Sequence, residues 1–187
     1  MKKEKIFFNI MDGLTIDRIF KHCAVTKPFY KGIYSIDTIP NKSYNEPNFY
    51  VLNTDISTGR GLHWLLIFNI NSKYTEIFDS LGQSPYAYGS HFKQYLTNNK
   101  KRTFIYTNKR LQNLKSNVCG CHVLFVGYKK CQKKLSLNSL LNRYYLNDRN
   151  FNDCNVLCFC KKQFKLKPTI IKHMLQTCSK CKLDNCA

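Results

Sequence analysis

His63-Trp64-Leu65-Leu66-Ile67-Phe68-Asn69-Ile70, followed by Asn71-Ser72-Lys73 and then Tyr74-Thr75-Glu76-Ile77-Phe78-Asp79-Ser80, is the stretch that decides the fold. The first run is almost continuously apolar, which marks a strand buried on both faces. The polar triplet is a turn, and the second run returns beside the first. Working outward, Phe49–Thr54 and Thr103–Asn108 read as further strands. On the N-terminal side, Ile16, Ile19, Phe20 and Cys23 fall at helical spacing over 12–24, with Asp12 or Thr15 as N-cap. Lys27–Asn48 carries Pro28, Gly32, Pro40 and Pro47 among aromatics, and reads as an ordered, packed loop. On the C-terminal side come a short helix over Ser90–Leu96, another over Gly120–Lys130, and a third marked by Leu137, Leu140, Leu141 and Tyr144 with Ser136 as cap. After about residue 150 the texture shifts to Asn, Lys and Cys, with one short helix expected after Pro168. This order predicts an α+β fold, a central mixed or antiparallel sheet flanked by helices, rather than alternating βα units.

The chain has 187 residues, 43% of them hydrophobic, enough for one domain with a sizeable core. The natural division is a domain over 1–150 and a Cys/Lys-rich C-terminal extension over 151–187. No apolar run approaches the roughly 20 residues that a membrane span needs. The basic start, Met1-Lys2-Lys3-Glu4-Lys5-Ile6-Phe7-Phe8, leads into an apolar stretch broken by Asn9 and Asp12, too short for a signal peptide. No membrane association and no secretion are expected. Ten cysteines are distributed unevenly, with six crowded into 154–186. Without an export signal, reduced thiols in a nucleus or cytosol are expected.

Three features carry chemistry through their order. His63 opens a buried strand, Asp79 closes the next, and Cys119-Gly120 opens a helix. A nucleophilic cysteine needs a base beside it and a group that orients the base. A turn at 71–73 brings Asp79 within reach of His63 across the hairpin. A helix N-terminus and a neighbouring imidazolium both favour a thiolate at Cys119. Gly120 leaves room for a substrate backbone, and the Gln112 side-chain amide is a candidate oxyanion donor. Asp55 is the substitute should Asp79 not orient His63. Cys121 lies close enough in sequence to compete for the nucleophile on oxidation. Each of these residues also has a structural reading: a strand-start His, a turn-forming Asp, a buried Cys.

The segments Gly61-Leu62-His63-Trp64, Phe78-Asp79-Ser80-Leu81-Gly82 and Gln112 followed by Cys119-Gly120 together resemble the adenain-like cysteine proteases, those of adenoviruses and, more closely, of invertebrate double-stranded DNA viruses and Polinton-type elements. Phe29–Asp37 and Asn53-Thr54-Asp55 are similar to that group as well, and the resemblance spans roughly residues 12–147. The wider superfamily includes ubiquitin-like-specific proteases with the same His, Asp, Gln, Cys order. The resemblance implies Cys119 as nucleophile at the start of a buried helix, His63 as base, Asp79 as orienting acid and Gln112 as oxyanion-hole donor. It further implies a thiol endopeptidase that matures viral structural precursors in the host nucleus and virion, with DNA or a basic peptide as possible cofactors. Val118, before the nucleophile, departs from the small or acidic residues familiar there.

The proposed chemistry requires no metal. The tail nevertheless holds Cys154-x3-Cys158-x-Cys160 and Cys178-x2-Cys181-x4-Cys186, with His173 between them, and Cys178-x2-Cys181 has zinc-ligand spacing. The triplet forms no standard knuckle, so zinc and an unmetallated tail both stay open. Lys and Arg total 30 against 11 acids, a net charge of +19. Such an excess points to non-specific DNA binding by a monomer. The candidate phosphate contacts are Lys100-Lys101-Arg102, Lys129-Lys130, Lys133-Lys134 and Lys161–Lys165. The competing functions are a deubiquitinase or SUMO protease with the same chemistry, and a non-catalytic, basic nucleic-acid-binding structural protein.

Overall fold

In a computed structural model, which describes residues 11–40, 46–144, 146–177 and 181, the hairpin forms β3 (Trp64–Asn69) and β4 (Tyr74–Phe78). Every residue of β3 is buried. β2 (Asn48–Asn53) pairs antiparallel to β3 on its other side. β5 (Thr103–Tyr106) runs parallel to β4, and β1 (Tyr30–Ser35) parallel to β2. The sheet order β1-β2-β3-β4-β5 is the chain order. Mixed strand directions and separate helices make the fold α+β.

Strand β1 corrects the expectation of a loop across Lys27–Asn48. The prolines punctuate this region, but Tyr30–Ser35 lies between them and can still pair. Gly32 lies at φ +127, where the β1–β2 register shifts between Tyr30 and Ile33. A glycine accommodates such a bulge without strain.

The two faces of β3 bury against different helices. Trp64, Leu66 and Phe68 face one core with Ile16, Phe20, Val123, Leu124 and Val126, whereas Leu65 and Ile67 face Phe92, Tyr95 and Leu96. The first core is covered by α1 (Gly13–His22) and α3 (Cys119–Lys133), the second by α2 (Gly89–Asn98). Asp12 caps α1, its Oδ1 accepting from Thr15 N at 2.7 Å. Ser136 caps the short α4 (Leu137–Leu141) through Ser139 N.

Helix α5 (Arg149–Phe164) is longer than anything expected after residue 150, and α6 (Pro168–Thr177) follows it. Val156, Leu157, Cys160, Ile171 and Met174 bring these helices into the same core as α3. The sequence obscured α5 because its inward face begins with polar Asn152 and Asp153, both buried. The period is visible once Asp153 is counted with Val156, Leu157 and Cys160.

Helix α3 is anchored to the sheet near its C-terminal end. Lys130, 3% exposed, donates to Glu76 of β4 and lies 4.4 Å from the Phe68 ring centroid. Arg102 is likewise withdrawn, its Nη1 donating to Asn69 Oδ1 at 2.7 Å and to Thr75 Oγ1 at 3.0 Å. Both were candidate phosphate contacts; both instead pair with buried polar groups, because leaving such groups unsatisfied is costly.

Candidate active site

Leu66 pairs with Phe78, so in continued register Asp79 falls opposite Leu65, on the same side of the strand as His63. His63 Nε2 lies 2.7 Å from Asp79 Oδ1, in surroundings that leave His63 7% and Asp79 1% exposed. The Cys119 thiol, first residue of α3, is a second hydrogen-bonding partner of the His63 ring. The structure therefore brings His63, Asp79 and Cys119 together in series.

Asp79 is held by four donors: His63 Nε2 and Leu81 N on Oδ1, Gln83 N and Tyr88 Oη on Oδ2. Burial works against its charge, but the hydrogen bonds from His63, Tyr88 and Leu81 outweigh it and hold the carboxyl below its ordinary value. An ionised carboxylate only accepts, so Nε2 carries the proton in this bond. His63 feels the same opposition. Burial disfavours the imidazolium, yet the bond to Asp79, the bond to Cys119 and the charges of both raise it to about 9. Burial and the Asp79 carboxylate together push the Tyr88 hydroxyl far above its usual range, so Tyr88 stays a donor.

Gln112 sits 2% exposed on the loop that leads from β5 into α3. Its Oε1 accepts from Ser80 Oγ at 2.6 Å, and its Nε2 donates to Ser116 O at 2.9 Å. The Ser116 carbonyl can only accept, which fixes the amide's orientation. The second hydrogen of Nε2 remains for another acceptor. The backbone amides of Leu111 and Gln112 both donate to Ser80 O. Gln112 is thus tied to the residue after Asp79 and to the segment just before Cys119.

Several expectations change. Gly120 does not make room for substrate: a Cβ there would lie 2.6 Å from Met11 Cγ, so the glycine admits the Met11 side chain. Met11 in turn accepts the Trp64 Nε1–H on its carbonyl at 3.0 Å. Asp55 is no substitute for Asp79, because its carboxylate accepts from Ile56 N and Gly61 N in its own loop. Cys121 faces away from Cys119, 3.6 Å from Met174 Sδ and within the core. Cys158 is disulfide-bonded, against the expectation of reduced thiols throughout, whereas Cys119, Cys121, Cys131 and Cys160 remain thiols. Burial pushes Cys131 up to about 12. Cys178 and Cys186 of the zinc-like spacing lie outside the described residues. Among the described residues, no group of three or more His, Cys, Asp or Glu is placed to hold a metal ion.

Tyr88 and Ser80 were not singled out from the sequence. Ser80 is adjacent to Asp79, a signal that adjacency alone leaves weak. Tyr88 reaches the site only because a short 3-10 turn, Pro85–Tyr88, folds the chain back over the end of β4. A cleft of about 350 Å³ opens beside Trp64, lined among others by Gly13, Ile33, Asn53, Arg60 and Gly61.

Chemically, an ionised Asp79 holds the imidazole with one nitrogen protonated, and the ring can exchange a proton with the Cys119 thiol. A thiol, a base and an orienting acid in that order are the parts of a nucleophilic cysteine site. No family model and no curated protein matches the chain. Among solved structures it is similar to the ASFV pS273R protease in its selenomethionine form, with 27% identity and a TM-score of 0.34. That match covers 58% of this chain and 43% of the other, so the chain spans less than half of that protein's length.

Proposed function

We propose that the protein is a cysteine endopeptidase, and the observation that carries this reading is the His63 ring held between Asp79 and Cys119. In the reaction the Cys119 thiolate attacks the scissile carbonyl carbon and the C=O π electrons move to oxygen. Gln112 Nε2 would donate its second hydrogen to that oxyanion. Imidazolium His63 then protonates the departing amine as the C–N bond breaks, leaving an acyl-enzyme thioester. Neutral His63 next takes a proton from water, whose oxygen attacks the thioester. Collapse releases the acid and returns the Cys119–His63 pair.

Within this class, the sequence resemblance favours viral structural precursors as substrates and an adenain-like enzyme working in the host nucleus and virion. The net charge of +19 supports association with DNA as a tether to such substrates. Neither DNA nor an activating peptide is needed by the chemistry.

The test is an active-site thiol probe with peptide cleavage followed in parallel. Rapid alkylation of Cys119 that is lost in His63→Ala, with cleavage abolished in Cys119→Ala and retained in Cys121→Ala, is the expected result. Full cleavage by Cys119→Ala ends the reading. Cleavage of isopeptide-linked ubiquitin-like conjugates, with precursor polypeptides left intact, would move the enzyme to the deconjugating branch of the same chemistry.

A further inference from the structure

Helix α5 reaches the loop that carries Gln112 with four consecutive-turn side chains. Arg149 Nε donates to Arg110 O at 3.3 Å, and Asn152 Nδ2 to Leu111 O at 3.0 Å. Asn150 Oδ1 accepts from Asn113 Nδ2 at 2.6 Å. Asp153, fully buried, takes Asn113 N–H on Oδ2 at 3.2 Å. Its other oxygen, Oδ1, lies 2.8 Å from Nε2 of His122, in the first turn of the Cys119 helix. The His122 ring stacks on Tyr144, with centroids 5.6 Å apart.

One buried carboxylate therefore holds two things at once: the residue after Gln112, and the first turn that begins with Cys119. The opposite side of the loop is fixed by the bonds of Leu111 and Gln112 to Ser80. Clamped from both sides, the loop has little freedom to change the distance between the Gln112 amide and the Cys119 sulfur. A donor aimed where charge develops loses most of its value when that distance drifts.

We infer that Asp153 is a positioning residue that sets the Gln112 donor relative to Cys119 through Asn113 and His122; this rests on the protease reading above. Asp153 touches neither substrate nor reacting atoms, so its effect must pass through Gln112. Two consequences separate this from a merely structural role. First, the clamp requires an acceptor for Asn113 N–H but not a charge. In Asp153→Asn the amide oxygen can still accept from Asn113, while the amide nitrogen donates to His122 in its other tautomer. In the apolar Asp153→Leu both bonds are lost. Second, alkylation of Cys119 by iodoacetamide forms no oxyanion, so it does not need Gln112.

The experiment measures kcat, KM and the rate of Cys119 alkylation in Asp153→Leu, Asp153→Asn, Gln112→Ala and the Asp153→Leu/Gln112→Ala double variant. Expected is a kcat loss in Asp153→Leu of about 10-fold or more, up to the ~10²-fold scale of one oxyanion donor. KM and alkylation stay near wild type, and Asp153→Asn restores most of kcat. In the Gln112→Ala background Asp153→Leu should cost little more, since the two act through one interaction. If Asp153→Leu does not fold, Asn150→Ala replaces it, with a smaller kcat loss that again disappears when Gln112 is absent. Unchanged kcat, alkylation falling in step with kcat, or additive losses in the double variant would each overturn the inference. A wild-type protein with neither cleavage nor His63-dependent alkylation overturns the protease reading itself, and is thereby distinguishable.

Discussion

Tyr88 Oη donates to Asp79 Oδ2 at 2.6 Å, closing the side of the carboxylate that His63 leaves open. The bond has two effects of opposite reach. It helps keep Asp79 ionised, and it fixes the plane in which Oδ1 meets His63 Nε2. Tyr88→Phe removes one charge-assisted hydrogen bond and little volume. The expected outcome is a loss of about 1.5–3 kcal/mol in stability, with a fall in kcat that exceeds any change in KM. Thermal melts beside steady-state kinetics check this, and unchanged values in both would remove Tyr88 from the site.

The pH dependence follows from the His63–Asp79 pair. His63 is raised to about 9, above its ordinary 6.5. The stability it contributes is fully present below about pH 6.5 and is lost as pH rises through about 9. Asp79 is lowered, so its contribution is present above the ordinary carboxylate range and is lost as pH falls through its depressed value. In the proposed mechanism imidazolium His63 is the proton donor to the leaving amine, so peptide cleavage should decline along a basic limb near 9. NMR titration of the His63 ring should move down in Asp79→Asn. A ring that titrates at the same pH in both proteins contradicts the pairing.

Gly120→Ala should destabilise the fold. Its new Cβ would meet Met11 Cγ at 2.6 Å and Met11 Cβ at 2.8 Å. Overpacking of this kind costs about 1–3 kcal/mol. Adding Met11→Ala removes the first clash and leaves the second, so denaturation midpoints should recover only in part. No loss on Gly120→Ala would mean that α3 and Met11 separate easily.

Gln112→Ala should lower kcat on the order of 10²-fold, the scale of a single oxyanion donor. Ser80→Ala leaves the Gln112 side chain in place but removes the bond to Oε1, and a smaller loss is expected. Equal activity of all three proteins in single-turnover cleavage would exclude Gln112 from transition-state stabilisation.

Duplex DNA should bind with an affinity that falls steeply with salt, by ~10³-fold between 50 and 200 mM if about six phosphates are engaged. Charge reversal at exposed Lys161 and Lys165 should weaken this binding. The same change at Lys130 should unfold the protein instead, because Lys130 is buried against Glu76. Titration of labelled random-sequence DNA at several salt concentrations checks the first point, and salt-insensitive or absent binding rejects the tether.

What could be read from the sequence is the part governed by short-range periodicity. An apolar run, a polar turn and a returning strand place Asp79 on the His63 side. A helix over Gly120–Lys130 follows from Val123, Phe125, Val126 and Tyr128 in its packed body. Features set by contacts between distant segments were hidden. Asp153 reads as a polar residue in a polar tail until His122 and Asn113 are brought to it. Gly120 reads as an opening until Met11 fills it. Tyr30–Ser35 pairs with β2 despite flanking prolines, because neither Pro28 nor Pro40 falls within the strand.

The identity of sheet order and chain order has a consequence for how the protein is made. As the polypeptide leaves the ribosome, each strand can dock on the one synthesised just before it, so none waits with an open edge for a distant partner. The His63–Asp79 pair closes over a short span of chain, before Cys119 has been translated. The helix that clamps the Gln112 loop comes later still. Assembly in that sequence orders the sheet and the His63–Asp79 pair first, and the Cys119 helix with its α5 clamp afterwards.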